Sequence, residues 1–243
     1  MNTPKLPSPV AQRLSNVCLM IALPVLIFTL AGCEFDRPEA EGRIYYELSF
    51  PFLEGNILEN VFPTEMVLSF KDDRMTGEIR SLGGIMKTSF ITDNDAKTIQ
   101  QMLKNYSDYT YASFTEEGLN ELLSSQPGVR IETTNDSAFV AGYKCAVSVA
   151  YFLIDSVPPI QLFHTNQIDI EEPNWYTQFN ELNEVLLGYE VEQFGMRMKL
   201  MATQVIKCEV PEASFVVDQK YKEVTGSQLS EQLKTLLNEY LED

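Results

Sequence analysis

The sequence predicts an α+β fold built on a long, curved antiparallel sheet with helices against its concave face. Three observations carry that prediction. Apolar residues alternate with polar ones in one segment after another, the period of a strand with one buried face. Polar and glycine turns, rather than long crossover helices, separate most of these segments, and alternation itself speaks against the unbroken apolar runs of a parallel sheet. Aromatic residues make up 11% of the 243-residue chain, 14 of them Phe, which supplies buriable surface that disordered chains lack.

The first segment follows other rules. Residues 1–32 hold no acid and two bases, Lys5 and Arg13, followed by an apolar run from Val17 to Leu30. That run is short for a spanning helix and suits the apolar region of a signal peptide. It ends in Leu30-Ala31-Gly32-Cys33, which resembles a bacterial lipobox, with cleavage after Gly32 and lipid attachment to the thiol of Cys33. Three parts are therefore expected: a lipoprotein signal peptide at 1–32, an acylated tether at 33–42, and a single β-rich domain at 43–243. Acyl chains such as palmitate on Cys33 would anchor the body to a membrane, each buried methylene contributing about 0.8 kcal/mol. The acidic residues of the tether (Glu34, Asp36, Glu39, Glu41) resemble the surface-export signals of some Gram-negative lipoproteins. The expected location is the cell envelope, at the outer membrane, with the leaflet open.

The body then reads in order. Ile44, Tyr46, Leu48, Phe50 and Phe52 alternate with Tyr45, Glu47 and Ser49, and a second strand covers Met66 to Phe70, ending at the polar turn 71–74. Strands at 75–80 and 85–92 flank Gly83-Gly84. Asp95 is placed to cap a helix in which Ile99, Met102, Leu103 and Tyr106 share a face. Ser113 and Glu116 form a capping-box pattern ahead of Leu119, Leu122 and Leu123. Pro127-Gly128 breaks the chain before a strand at 129–133. From Phe139 to Ile154 the odd positions Tyr143, Cys145, Val147, Val149, Tyr151 and Leu153 are apolar. An extended segment at 160–170 follows Pro158-Pro159. Trp175, Phe179, Leu182 and Leu186 are spaced as a helical face, with a change to strand near Asn183. Val185 to Val210 reads as an antiparallel hairpin, and Leu229, Leu233, Leu236, Leu237 and Tyr240 form the stripe of a C-terminal helix. Eight or nine strands and two to four helices are expected.

Charge and composition exclude several function classes. Lys and Arg number 18 against 35 Asp and Glu, a net charge of −17, and removal of the basic leader deepens it. Such a surface repels nucleic-acid phosphates and anionic headgroups. With one His, His164, multi-histidine metal sites are excluded, and no Gly-x-Ser-x-Gly elbow accompanies it. A structural or surface role for His164 outweighs a catalytic one. Asp93-Asn94-Asp95 lacks the glycine and later Glu of a calcium loop, so a helix cap is the better reading. Glu116-Glu117 and Glu171-Glu172 read as solvated faces. Asp136-Ser137-Ala138 and Asp155-Ser156-Val157 resemble a short bacterial O-glycosylation sequon, a pattern common by chance. No metal, cofactor or enzymatic activity is expected. Cys145 and Cys208 would remain after processing in an oxidising compartment. A disulfide between them and two buried free thiols both stay open.

From about Asp136 to Thr225 a series of short pieces is similar to a family of uncharacterised Gram-negative lipoproteins with a LolA-like fold. The pieces are 140–145 (VAGYKC), Pro173-Asn174, 186–190 (LLGYE), 195–198 (GMRM) with Ala202-Thr203, and 215–218 (FVVD) ahead of Tyr221. Asp218 stands where that pattern would place a proline. The resemblance implies a half-open β-barrel covered by helices, in a fold whose relatives carry, receive or sense acyl chains. It transfers no functional residue. Combined with the alternation, it leads to a non-enzymatic lipoprotein that binds an acyl chain or other lipid. The candidate pocket is lined by Ile44, Tyr46, Leu48, Phe50, Met66, Leu68, Phe70, Met196, Met198 and Leu200. The alternative is a filled barrel acting as a protein-interaction subunit of an envelope or surface complex.

Overall fold

The computed structural model describes residues 38–53, 62–124, 126–154, 157–193 and 196–242. The expected signal peptide and Cys33 lie outside the described residues, as do Asp155 and Ser156. Among the described residues, no helix is long and apolar enough to cross a membrane.

Among the described residues, twelve strands form one mixed sheet: β1 (Glu41–Ser49), β2 (Glu65–Lys71), β3 (Arg74–Ser81), β4 (Met86–Asp93), β5 (Thr98–Asn105), β6 (Asp108–Thr115), β7 (Val129–Val140), β8 (Tyr143–Phe152), β9 (Ile160–Thr165), β10 (Val185–Gln193), β11 (Met196–Ile206) and β12 (Lys222–Glu223). Their order is β12-β6-β5-β4-β3-β2-β1-β11-β10-β9-β8-β7. Every pairing is antiparallel except that of the two-residue β12 with β6. The sheet is open, ending at β12 and β7. Its two halves are meanders that meet at the centre, where β1 pairs with β11.

Turn chemistry explains the meanders. Asp72 and Asp73 (φ 47° and 58°) turn β2 into β3, and Ala141 and Gly142 (φ 51° and 88°) turn β7 into β8. Two successive positive φ values are the mark of a hairpin turn whose twist matches that of its strands. The run 139–154 is therefore two strands and a turn rather than one strand. Its expected parity also breaks: Cys145 and Val147 are buried, but so are Ser148 and Ala150, while Leu153 is 71% exposed.

The helix expected at 95–106 is strand β5. Asp95 caps no helix; it sits in the tight turn where Asp93 Oδ1 accepts the N–H of Ala96. The apparent helical face has a physical cause. Ile99 packs with Leu119 and Trp175, Met102 with Ile91, Val210 and Phe215, and Leu103 with Ala112, Leu229 and Leu236. A strand covered on both sides needs apolar residues at both parities, and three of them mimic a helical spacing.

Two helices are present among the described residues. α1 (Glu116–Ser124) starts one residue after Thr115, whose Oγ1 accepts the N–H of Gly118 at 3.4 Å, so Thr115 rather than Ser113 caps it. α2 (Gly226–Glu242) buries Leu229 and Leu236 against β5 and β6. Both helices sit at the β6 end of the sheet. The expected helical cover over the rest of the sheet is not formed. Residues 171–182 are turns, not a helix, and the irregular strap 166–184 takes that place.

The central cluster gathers Ile44, Tyr46 and Leu48 of β1, Met66, Leu68 and Phe70 of β2, Leu187 of β10 and Leu200 and Ala202 of β11. Ile168 and Ile170 of the strap belong to the same cluster. Farther along, Phe179 packs against Ala150, Ile160, Leu162 and Leu186.

Candidate functional site

The residues put forward as a ligand pocket do come together, but as packed core. Ile44, Tyr46, Leu48, Met66, Leu68, Phe70 and Leu200 are all at most 6% exposed and lie in the central cluster with the strap against them. Phe50 and Met198 are partly buried at its margin; the side chain of Met196 lies outside the described residues. Tyr46 adds a buried polar tie, its hydroxyl donating to the Leu186 carbonyl at 2.8 Å. Burial pushes the phenols of Tyr46, Tyr176 and Tyr189 far above their ordinary range. All three are neutral phenols.

The strap is pinned by polar contacts that its sequence does not advertise. Asp73 Oδ1 accepts the N–H of Glu171 at 2.7 Å, and Asn94 Nδ2 donates to the Glu171 carbonyl at 2.8 Å. The sole Trp, Trp175, donates its Nε1–H to Asn94 Oδ1 at 3.0 Å. Lys97 pairs with Glu172 and lies over the Trp175 ring. At the far end, Asn174 Nδ2 donates to the carbonyls of Leu182 (2.7 Å) and Glu184 (2.9 Å). Asn94 and Asn174, both nearly fully buried, thus hold the strap at two points. Asp73, Asp95 and Glu171 bring carboxylate oxygens within 4.8 Å of one another, two of these residues being exposed.

His164 belongs to the interior of the sheet. It is 4% exposed, and its Nε2 lies 2.9 Å from the Oγ of Ser148, which is fully buried. Its Nδ1 hydrogen-bonds to the Glu184 carboxylate. Since a carboxylate only accepts, Nδ1 carries the proton in the neutral ring and Nε2 accepts from Ser148. The set has the residue types of a hydrolase triad, but the hydroxyl is enclosed by packing among the described residues rather than open to a cleft. Nothing in the sequence could have grouped it: Ser148 and His164 are brought together by the β8–β9 register, in which Ala146 faces His164. Glu184 joins from the strap.

Cys145 and Cys208 are free thiols. Cys145 is on β8, whereas Cys208 follows β11, three strands away in the sheet. No disulfide joins them. Burial pushes the Cys145 thiol up to about 11.

Two surface features remain. A shallow depression of about 240 Å³ is lined by residues that include Gln161, Phe163, Glu190, Lys199 and Met201; it shares no residue with the predicted pocket. The other is the edge strand β7. It pairs with β8 alone among the described strands, and its ends are flanked by Phe139, 78% exposed, and Leu153. The opposite edge is short and lies beside α2.

No family model matches the chain, and no curated protein matches it. Its fold has likenesses among solved structures. The crystal structure of MucB is 10% identical, with a TM-score of 0.30 over 77% of this chain. MucB in complex with MucA(peri) is 12% identical, with 0.31 over 78%. The chain spans 60% and 58% of those two chains. A beta-barrel-like protein of the domain of unknown function DUF1849 from Brucella abortus is 10% identical, with a TM-score of 0.32 over 72% of this chain and 100% of that one. At identities and scores this low, the likenesses assign no role to any residue here.

Proposed function

We propose that this chain is a lipid-anchored cell-envelope protein that works by binding another protein, not by catalysis. The observation that carries the reading is the filled interior: the residues available to line a lipid pocket are the core of the sheet. What the body offers a partner is its surface, and the β7 edge is the part with unspent bonding capacity. A strand edge presents N–H and C=O groups to an extended polypeptide, and neighbouring apolar side chains add affinity. The proposed partner is therefore an extended segment of another envelope protein, laid along Val129–Thr133. Leu153, whose N–H donates to the Gly128 carbonyl at the start of that stretch, would contact its apolar residues. A photo-crosslinking residue at Arg130 should capture such a partner in whole cells while one on β3 does not; equal capture at both positions overturns the reading.

Anchoring through Cys33 is supported by the lipobox resemblance and by the acidic, tether-like residues that follow it. Metabolic labelling with a palmitate analogue should mark the wild-type chain and not Cys33→Ser. Equal labelling of both overturns it.

The second reading, acyl-chain binding, is favoured by one detail. Phe50 and Met198, both only partly buried, lie at the same end of the central cluster, where Ser49 pairs with Lys199. A chain would enter there. Native mass spectrometry with a fluorescent fatty acid as competitor tests it; absence of a bound, exchangeable lipid would leave the protein-binding reading in place.

A further inference from the structure

The backbone groups of the β7 edge can be assigned a direction one by one. Leu153 donates its N–H to the Gly128 carbonyl at 2.8 Å, so these two residues form a hydrogen-bonded pair. In an antiparallel ladder such pairs alternate with non-hydrogen-bonded ones. The register runs unbroken from Val129↔Phe152 to Thr133↔Ser148. The N–H and C=O groups of Arg130 and Glu132 therefore point at β8, and those of Val129, Ile131 and Thr133 point out of the sheet. Beyond Thr133 the edge is no longer straight. Thr134 Oγ1 donates to the Val147 carbonyl at 2.9 Å, and pairing resumes only at Ser137↔Ala146. The open stretch is 129–133.

Its side chains divide by face. Val129 and Ile131 pack against the cluster of Ala150, Ile160, Leu162, Phe179 and Leu186. Arg130 and Glu132 are exposed on the other face, where they pair with each other and Arg130 lies over the Tyr151 ring. A positive and a negative charge thus flank Ile131. The stretch itself is neutral, although the chain carries −17.

This pattern is complementary to itself. About a twofold axis through Ile131, perpendicular to the sheet, Ile131 meets its own copy and Val129 meets Thr133. Each of these pairs can exchange the outward-pointing N–H and C=O groups. Arg130 then faces Glu132 of the second copy, and Glu132 faces Arg130. Those are non-hydrogen-bonded pairs, whose Cα atoms stand about 4.5 Å apart, so the opposite charges meet at the closer of the two spacings in the ladder. The neighbouring registers fail on charge. An axis through Arg130 sets Arg against Arg, and one through Glu132 sets Glu against Glu; like charges directly opposite destabilise a strand pair. We propose that β7 pairs with β7 of a second copy of this chain, antiparallel about Ile131, and continues the sheet across a twofold axis. A seam this short falls below the area of a permanent dimer, so the pairing is reversible. It needs no envelope partner, and it sets that partner a competitor for the same backbone groups.

The test is sedimentation equilibrium of the full chain in density-matched detergent. Salt of about 0.15 M, with a Debye length of about 8 Å, mutes the long-range repulsion between two acidic bodies. The wild type should pass from monomer to dimer as its concentration rises. Arg130→Glu and Glu132→Arg should each weaken the dimer about tenfold, because each turns attractive cross-strand pairs into repulsive ones. The double variant restores opposite charges across the axis and should dimerise as the wild type does. Both residues are exposed, and equal denaturation midpoints will show that the variants fold alike. A monomer at every concentration, single variants that dimerise like the wild type, or a double variant no better than the singles overturns the proposal. In the whole-cell crosslinking at Arg130, a captured second copy is recognised by a product of twice the chain's mass. The self-pairing and the envelope partner can therefore fail separately.

Discussion

The indole N–H of Trp175 donates to Asn94 Oδ1 at 3.0 Å across 81 residues of chain, fixing the strap to the turn between β4 and β5. The amide of Asn94 is spent at both ends, because its Nδ2 donates to the Glu171 carbonyl. Asn94→Ala would leave a buried indole N–H and a backbone carbonyl unsatisfied, at about 1–3 kcal/mol. Trp175 is the chain's single Trp, so its fluorescence reports on the strap alone. The variant should show a lower denaturation midpoint and a shifted native emission. An unchanged midpoint would mean that the strap is held by apolar contact only.

Gly77 sits beneath the Phe90 ring, where an added Cβ would fall 2.2 Å from Cε1 and 2.6 Å from Cζ. Gly77→Ala must push the ring out of the place where it stacks on Tyr176 at 5.5 Å. A loss of about 1–3 kcal/mol is expected, read as a lower Tm. Gly188→Ala meets Phe163 and Met201 more gently at 2.7 and 2.9 Å, and the flexible Met201 should make its loss the smaller of the two.

The ion cluster of Lys71, Glu41, Arg74 and Glu212 predicts a weakening in acid. Lys71 and Arg74 hold Glu212 below its ordinary value of 4.5; the Val210 N–H, then Lys71, does the same for Glu41. A carboxylate with a lowered folded value stabilises above its unfolded value, and that contribution is lost as pH falls through the folded one. Urea midpoints should hold from pH 7 to about pH 5 and then fall. Glu212→Gln should flatten that fall, and a variant curve parallel to the wild type would dismiss the cluster as its source.

Thiol labelling should divide the two body cysteines. Cys145 is fully buried, with its thiolate disfavoured, while Cys208 is half-exposed. Since the thiolate is the reacting form, native protein at pH 7.5 should be alkylated at Cys208 and not at Cys145, as mapped by peptide mass. Both should react after denaturation without reductant. Protection of Cys208 until a reductant is added would instead reveal a disulfide.

Tyr46→Phe should cost about 1–2 kcal/mol by stranding the Leu186 carbonyl in the core, measured by chemical denaturation, with the ring's apolar packing kept.

Much of the sheet is legible in the sequence. Single-faced strands write a clean alternation, as in Ile44-Tyr46-Leu48 and Met66-Leu68-Phe70. The signal fails where both faces are covered. In β5 that produces a false helix, and in β8 it hides Ser148 and Ala150. The strap misleads differently: Trp175, Phe179 and Leu182 have helical spacing, yet Asn174 binds the carbonyls of Leu182 and Glu184 and closes the segment as turns. The contact of His164 with Ser148 and Glu184 is invisible in one dimension because strand register and the strap assemble it. The predicted pocket shows the limit most plainly. Alternation identifies which side chains turn inward; it does not say whether they meet a ligand or one another.

The pairing of β1 with β11 has a consequence for how the molecule comes into being. The first strand of the body to be synthesised hydrogen-bonds along its length to the eleventh, Arg43 facing Ile206 and Ser49 facing Lys199. An emerging chain can build the meander from β1 to β6 as it appears, yet the seam at the middle of the sheet stays unsewn until nearly all of it has been made. Contacts so distant in sequence form slowly. The envelope location proposed above would make use of that delay, since a sheet whose seam closes last is not completed before the chain has been exported.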